Sequence, residues 1–167
     1  KYIGKIIENF MASQFACPCC NKNGLTVLGN HSPSLDIVCK TCSRKFEVKS
    51  KCLSINELPN DIKLPHGSFE EYKKRQDTGL DLFVVIYKVD RRKKIITIRE
   101  VLYAKNSEII SNKNKKVFKR KGSHLSTIFI KDRTRMKKME LENLYQFDFS
   151  NLISAYLNKH LNNINHV

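Results

Sequence analysis

Four cysteines constrain the fold of this chain more than any other feature. Cys17 and Cys20 form one Cys-x-x-Cys pair, Cys39 and Cys42 form another, and 18 residues separate the two pairs. This spacing is typical of a structural zinc site with four thiolate ligands. Two disulfides are the alternative, but the short pairs and the lack of a visible secretion signal favour zinc. Cys19 lies next to a ligand and competes with Cys20, although only Cys20 completes the two-residue gap.

The second cysteine pair forms the turn of a predicted β-hairpin. With the turn between Thr41 and Cys42, Asp36 lies opposite Glu47. Directly opposed residues on antiparallel strands point to the same face, with Cβ atoms about 5 Å apart. The strand period of two returns Lys49 to that face. Two carboxylates and one ammonium group therefore converge at one point.

This convergence suits a divalent cation beside a phosphate. Mg²⁺ prefers oxygen ligands and retains several waters, and a cation held by carboxylates neutralises charge on a phosphodiester under attack. We expect Asp36 and Glu47 to ligate the metal together with the Val48 carbonyl. We expect Lys49 to contact the attacking water or the scissile phosphate. The bare pattern is also typical of a solvated sheet surface, but a zinc-bound turn favours catalysis because it fixes the strand register.

The net charge indicates a polyanionic partner. Lysine and arginine number 31 against 16 aspartates and glutamates, a formal charge of +15, which favours nucleic acid over an anionic membrane. We expect phosphate contacts from residues 113–121, from residues 131–138 and from a second helix that a capping box starts at Phe69. The residues predicted to bind DNA are Lys73, Lys74, Arg75, Gln76, Lys115, Lys116, Lys119, Arg120 and Lys121.

The hydrophobic pattern predicts a mixed α/β fold, with a central sheet flanked by helices and a zinc ribbon at one end. Its elements are a helix at 2–12, a hairpin of strands at 80–89 and 95–103, a third strand at 125–130 and a helical tail at 139–162. Residues 53–67 contain Pro59, Pro65 and Gly67 and are predicted to form a loop.

Two further features concern the burial of Cys52 and the location of the protein in the cell. Cys52 falls on the Val48 face of its strand, and we expect a buried thiol there. No apolar run approaches the ~20 residues of a membrane span, and no signal peptide is visible. We therefore expect a cytoplasmic protein.

Three segments resemble the catalytic domain of the DpnI-type restriction endonucleases. The segments are Cys17–Cys20, Asp36–Cys42 and Phe46–Lys51, and looser similarity extends over residues 5–130. That family belongs to the PD-(D/E)XK nucleases and has a zinc ribbon built into its active-site sheet. The resemblance implies a restriction-endonuclease-like fold and hydrolysis of DNA.

The resemblance also implies roles for individual residues. By position, Asp36, Glu47 and Lys49 match the nuclease triad, and the four cysteines match structural zinc ligands. Many such nucleases add an acid from the first helix to the metal cluster, for which Glu8 is the candidate. The family's named member has a C-terminal winged helix that also reads DNA. We expect residues 1–167 to form a single nuclease domain without one, with the ribbon at about 17–42, so a preference for methylated adenine remains open.

We therefore predict a Mg²⁺-dependent restriction endonuclease that acts on double-stranded DNA. Cutting of a palindromic site would require a homodimer. One alternative is a zinc-ribbon protein that binds nucleic acid without catalysis, which explains the charge and cysteines but not the acid–lysine cluster. The other is a repair nuclease of the same fold that acts on branched or mismatched DNA.

Overall fold

A mixed sheet lies at the centre of the molecule. The computed structural model describes residues 2–28, 35–65, 77–111, 127–130 and 132–150. In chain order the elements are α1 (Tyr2–Gln14), β1 (Leu25–Val27), β2 (Ile37–Cys39), β3 (Lys45–Cys52), β4 (Ile62–Pro65), β5 (Asp81–Asp90), β6 (Ile95–Ala104), α2 (Asn106–Ser111), β7 (Thr127–Ile130), a 3₁₀ turn (Arg133–Arg135), β8 (Lys137–Met139) and β9 (Gln146–Asp148).

Within these ranges the central sheet has seven strands and the smaller sheet has two. The central order is β1-β2-β3-β5-β6-β8, with β9 also paired to β6, while β4 pairs with β7. β3 and β5 run parallel, with Glu47 opposite Leu82 and Lys49 opposite Val84. The other pairs are antiparallel. The predicted α/β class, with a central sheet flanked by helices, is confirmed.

Two apolar clusters cover opposite faces of the sheet. On one face, α1 packs through Ile7 and Met11 against Phe46 and Phe83, whose rings stack with centroids 4.9 Å apart. On the other face, the β4–β7 sheet covers the even-numbered residues of β5, Leu82, Val84 and Ile86. Each such buried side chain contributes about 1.5–3 kcal/mol of transfer free energy. Strand β3 therefore lies between two packed layers over part of its length.

The alternation of side chains along β3 separates core from polar residues as predicted. Phe46 is fully buried in the α1 cluster, and Val48 packs against the same cluster. Successive strand residues point to opposite faces, so Glu47 and Lys49 lie on the face that carries Leu82. The two polar residues thus share one side of the sheet.

The prediction of a helix over 139–162 is wrong for its described part. Residues 137–139 and 146–148 instead form strands that pair with β6. The residues that pack on the α1 cluster are Met139, Leu141, Tyr145 and Phe147. All have odd numbers, which is the period of an extended chain. Leu144, which lies between the two strands, is 70 % exposed.

Three other predictions have mixed outcomes. The predicted loop at 53–67 contains β4, whose Ile62 and Leu64 reach the core. Cys52 is exposed rather than buried, because it ends β3 beyond the cover of α1. The helix expected from Phe69 lies outside the described residues.

Candidate active site and metal centre

The β2–β3 hairpin has the predicted register. Ile37 lies opposite Phe46 and Val38 opposite Lys45. At the turn, the Cys39 N–H donates to the Arg44 carbonyl at 2.9 Å. Asp36 lies directly before β2, and its N–H donates to the Phe46 carbonyl at 3.2 Å, so the predicted pairing of Asp36 with Glu47 is not part of the ladder.

Four thiols form a cluster with the dimensions of a zinc site. The Sγ atoms of Cys17, Cys20, Cys39 and Cys42 all lie within 4.8 Å of one another. Cys17 and Cys42 are 3.7 Å apart, and Cys20 and Cys39 are 3.8 Å apart. Tetrahedral zinc with Zn–S bonds of about 2.3 Å separates its sulfurs by about 3.8 Å. All six cysteines are free of disulfides, so the disulfide alternative is excluded.

Cys20, not Cys19, belongs to this cluster. The Cys19 thiol lies elsewhere, 3.2 Å from the Tyr103 hydroxyl and 3.6 Å from a carboxylate oxygen of Asp81. The two-residue gap that distinguished Cys20 in the sequence therefore selects the correct ligand.

The Asp36 carboxylate takes the place of a backbone acceptor at the start of β2. Its Oδ2 accepts the Val48 N–H at 2.7 Å, an N–H that a longer neighbouring strand would pair with a carbonyl. In a strand, the N–H and C=O of one residue point to the same side, so the Val48 carbonyl also points toward Asp36. Within the described part of the chain, Asp36 Oδ1 has no hydrogen-bond partner. The Val48 carbonyl and the Asp36 carboxylate thus lie on the same side of β3.

Glu47 and Lys49 form a close ion pair on the same strand. Lys49 Nζ lies 2.7 Å from Glu47 Oε1, with the lysine side chain 22 % exposed and the glutamate 8 %. Residues two apart on a strand share a face, which explains the contact. The pair supplies an acid and an ammonium group next to Asp36.

Glu8 brings a third carboxylate toward Asp36 from α1. Burial raises the pKa of Asp36; the Val48 N–H opposes that shift, and the charges of Glu8 and Glu47 add to it. Lys49 acts in the opposite direction. The charges of two neighbouring acids therefore act on Asp36 together with burial, and all three disfavour its anionic form.

The donor set fits a hard divalent cation such as Mg²⁺. It consists of the Asp36 and Glu47 carboxylates and the Val48 carbonyl, all oxygen donors, which leave positions for water. In the described part of the chain, the four cysteines are the only group of three or more Cys, His, Asp and Glu ligand atoms that lie mutually within 4.8 Å. Glu8 is thus a neighbour of the two acids rather than a member of one tight triplet.

A buried aspartate, which the sequence analysis overlooked, fixes the zinc ribbon to the sheet. Asp81 is fully buried. Arg44 donates to both of its oxygens, at 2.8 and 3.0 Å. The Tyr103 hydroxyl donates at 2.8 Å and the Asn106 N–H at 2.9 Å. Burial raises the pKa of Asp81, but the bonds from Arg44, Asn106 and Tyr103 outweigh it and hold that pKa below its ordinary value.

The sequence analysis also missed a second buried acid, Glu100. Its partner is an arginine from the segment that was predicted to contact DNA phosphates. Arg133 donates to both oxygens of Glu100, at 2.8 and 2.7 Å, and to the Pro59 carbonyl at 3.0 Å. Its side chain is only 17 % exposed. Arg133, in the basic stretch 131–138, is therefore a structural residue rather than a surface cation.

The residues predicted to bind DNA lie outside the described residues, both those at 73–76 and those at 115–121. In the described part, a basic run at the β5–β6 turn, Arg91–Lys94, is exposed. None of the described helices is long and apolar enough to span a membrane.

A comparison with protein families gives a match that covers this whole site. The profile described as DpnI, the Dam-replacing family, matches residues 1–147. The matched part includes the cysteine cluster, Asp36, Glu47 and Lys49. The family is a restriction-endonuclease-like one.

Proposed function

This chain belongs to the Dam-replacing family of restriction-type nucleases, and on that premise we propose that it is a Mg²⁺-dependent endonuclease that hydrolyses double-stranded DNA. The observation that carries the proposal is the arrangement of polar groups at the start of β2. There the Asp36 carboxylate replaces a backbone acceptor opposite Val48, next to the Glu47–Lys49 pair.

We propose that two acids and one carbonyl hold the cation. Asp36 and Glu47 are the carboxylate ligands, and the Val48 carbonyl completes the protein's share of the ligands. When bound, the metal supplies positive charge beside the phosphate under attack. Buried, pre-oriented carboxylates suit this role because they need little rearrangement when the charge arrives.

Lys49 acts on the substrate in this proposal. Its ammonium is 2.7 Å from Glu47 Oε1, and a cation on Glu47 competes for that same acid. Released from Glu47, the ammonium can donate to the scissile phosphate or orient the attacking water. The water oxygen then forms a bond to phosphorus as the opposite P–O bond breaks.

Phosphate contacts elsewhere would hold the duplex. We propose that these come from the basic residues predicted above, Lys73, Lys74, Arg75, Gln76, Lys115, Lys116, Lys119, Arg120 and Lys121. Such contacts give affinity and register but no base specificity, and they make binding salt-dependent. The net charge of +15 supports this part of the proposal.

The proposal also covers the domain and the number of chains that act together. The matched residues would form one PD-(D/E)XK domain, with the zinc ribbon of residues 17–42 as part of its active-site sheet. A palindromic target would require two copies of the chain. Cleavage directed by adenine methylation, in the cytoplasm with the DNA, is consistent with this assignment.

The test is a plasmid digest with matched variants. Adenine-methylated and unmethylated plasmids are incubated with wild type, Glu47→Gln and Lys49→Met in Mg²⁺, with Lys88→Met as an exposed-lysine control. We expect cleavage by wild type and the control, and a loss of about 10²–10⁴-fold for each site variant. EDTA should abolish cutting.

Two results would overturn the proposal. DNA binding without cleavage of any plasmid or junction would indicate a zinc-ribbon binding protein. Cleavage of branched or mismatched DNA alone would indicate a repair nuclease of the same fold.

A further inference from the structure

Lys5 joins the helical acid to the end of a strand. Its Nζ donates to Glu8 Oε2 at 3.0 Å and to the Leu28 carbonyl at 3.1 Å. The first bond lies within α1, whereas the second crosses from the helix to the residue that follows β1. A single ammonium group therefore sets where the Glu8 carboxylate lies relative to the sheet.

The strand end held by Lys5 is also bonded to Asp36. The Leu28 N–H donates to the Asp36 carbonyl at 2.9 Å. Glu8, Lys5, Leu28 and Asp36 thus form a continuous series of hydrogen bonds. Two site acids on different elements are connected through one lysine and one backbone residue.

Helix stability does not account for this lysine. An exposed i,i+3 ion pair contributes little to stability, and the Lys5 side chain is 42 % exposed. Lysine N-terminal to glutamate is also the less favourable order for the helix dipole. The contact to Leu28 is what distinguishes Lys5 from an ordinary surface lysine.

Glu8 retains an oxygen for another partner. Lys5 occupies Oε2, and no described residue donates to Oε1. The Glu8 side chain is 20 % exposed, so water or a hydrated cation can reach it. Burial keeps the carboxylate from rotating freely, and the Lys5 bond restricts it further.

We propose that Lys5 is a positioning residue of the cation site: it holds Glu8 on the Asp36 side, with one carboxylate oxygen available to the cation or to its water. This inference rests on the proposed function and adds a residue to the same site. It acts through Glu8 and does not itself touch substrate. Residues that orient ligands in this way commonly change metal affinity 10–100-fold when removed.

The test measures Mn²⁺ binding directly, by the EPR signal of free Mn²⁺, on zinc-loaded full-length protein without DNA. The variants are Lys5→Met, Lys5→Arg, Glu8→Gln and the double variant Lys5→Met/Glu8→Gln, with Lys88→Met as the charge control. We expect Lys5→Met to weaken Mn²⁺ binding about 10-fold and Lys5→Arg to restore most of it. The double variant should bind no more weakly than Glu8→Gln alone, because Lys5 acts only through Glu8.

The outcomes separate this inference from the proposed function. Normal Mn²⁺ affinity in Lys5→Met, or additive losses in the double variant, would overturn the inference even if wild type cuts DNA. The expected Mn²⁺ pattern in a protein that cuts no DNA would uphold the inference and reject the nuclease. A wild type that binds no Mn²⁺ would reject both. Melting temperatures of all variants identify any that fail to fold.

Discussion

Asp36 and Asp81 are two aspartates on either side of β3, and their surroundings are opposite. Asp81 is fully buried and accepts bonds from the Arg44 guanidinium, the Tyr103 hydroxyl and the Asn106 N–H. Asp36 is half-buried, and among the described residues its carboxylate accepts one hydrogen bond, from the Val48 N–H. The pKa of Asp81 is lowered and that of Asp36 is raised.

The difference shows that donors rather than depth decide how an acid behaves in this molecule. Burial raises the pKa of both carboxyls. The donors around Asp81 outweigh that effect, whereas the Val48 N–H and Lys49 offset it only in part at Asp36. A fully bonded buried acid stabilises a fold. An acid that burial and like charges disfavour as an anion is stabilised by a proton or by an external cation. We therefore assign Asp81 to the scaffold and propose Asp36 for the reactive site.

The largest effect should come from loss of the zinc that we expect the four cysteines to hold. Cys42→Ser should abolish zinc binding and cost about 5 kcal/mol or more of stability, because the folded ribbon depends on the metal. Zinc stoichiometry and thermal melting measure this. Cys52→Ser, an exposed thiol outside the cluster, is the matched control and should change neither. One zinc per chain with wild-type melting in Cys42→Ser would contradict the prediction.

The second-largest effect should come from a variant that removes the cation paired with Asp81. Arg44→Met removes both guanidinium bonds to Asp81 and should lower stability by about 3 kcal/mol, or roughly 10 °C in Tm, since a buried carboxylate loses its cation. Lys45→Met makes the same charge change at the next residue. The Lys45 side chain makes no hydrogen bond or ion pair with the described residues, so this variant should have nearly wild-type stability.

The Arg44→Met deficit should also depend on pH. The folded-state pKa of Asp81 is lowered, so its contribution is present above the ordinary aspartate pKa and is lost as pH falls through the folded value. The difference between wild type and variant should therefore narrow on acidification. A deficit that stays constant with pH would show that Arg44 acts through packing alone.

A smaller loss should follow removal of one donor. Tyr103→Phe deletes the hydroxyl that donates to Asp81 at 2.8 Å and should cost about 1.5 kcal/mol in a urea titration. Tyr87→Phe is the control, because no hydrogen bond is recorded for the Tyr87 hydroxyl in the described part of the chain. Equal costs for the two variants would mean that the Tyr103 bond contributes nothing specific.

The smallest effect should be a gain in stability rather than a loss. Asp36→Asn keeps an acceptor for Val48 but removes a charge that two other acids oppose, so it should stabilise the metal-free protein by about 1 kcal/mol at pH 7. The pKa of Asp36 is raised on folding, so the wild-type penalty is absent at low pH and develops as pH rises through the folded pKa. The gain should therefore disappear in acid.

The matched substitution Asp81→Asn should destabilise the protein instead. Denaturant titrations of both variants in Mg²⁺-free buffer, with zinc retained, test this contrast. Stabilisation by both, or by neither, would remove the distinction between the two acids. Asp36→Asn should lose DNA cleavage despite its greater stability.

The hairpin could be predicted from sequence because a cysteine turn sets its register locally. The spacing predicted how β2 pairs with β3 without knowledge of any distant residue. The pairing of Ile37 with Phe46 confirms that register for the strand itself, while Asp36 lies just outside the ladder. The members of the cysteine cluster could also be predicted from local sequence, since the two-residue gap selected Cys20. Local covalent geometry was sufficient in both cases.

Features that depend on distant contacts were missed. Strand β4 was predicted as a loop because Pro59 precedes it and Pro65 is its last residue, and only its pairing with β7 reveals a strand. The helical prediction for residues after 139 failed because apolar residues at mixed spacings fit two periods, and pairing with β6 decided between them. One signal for Asp81 was available: an acid directly before the apolar run 82–87.

Four residues separate the zinc ligand Cys42 from Glu47, and both belong to one hairpin with β3 continuous beyond the turn. Inserting or deleting a single residue in that stretch would leave the thiolate on zinc but turn Glu47 and Lys49 toward α1. Changes of two residues would keep them on their present face. Length variation among relatives at this position should therefore occur in even steps, whatever residues fill it.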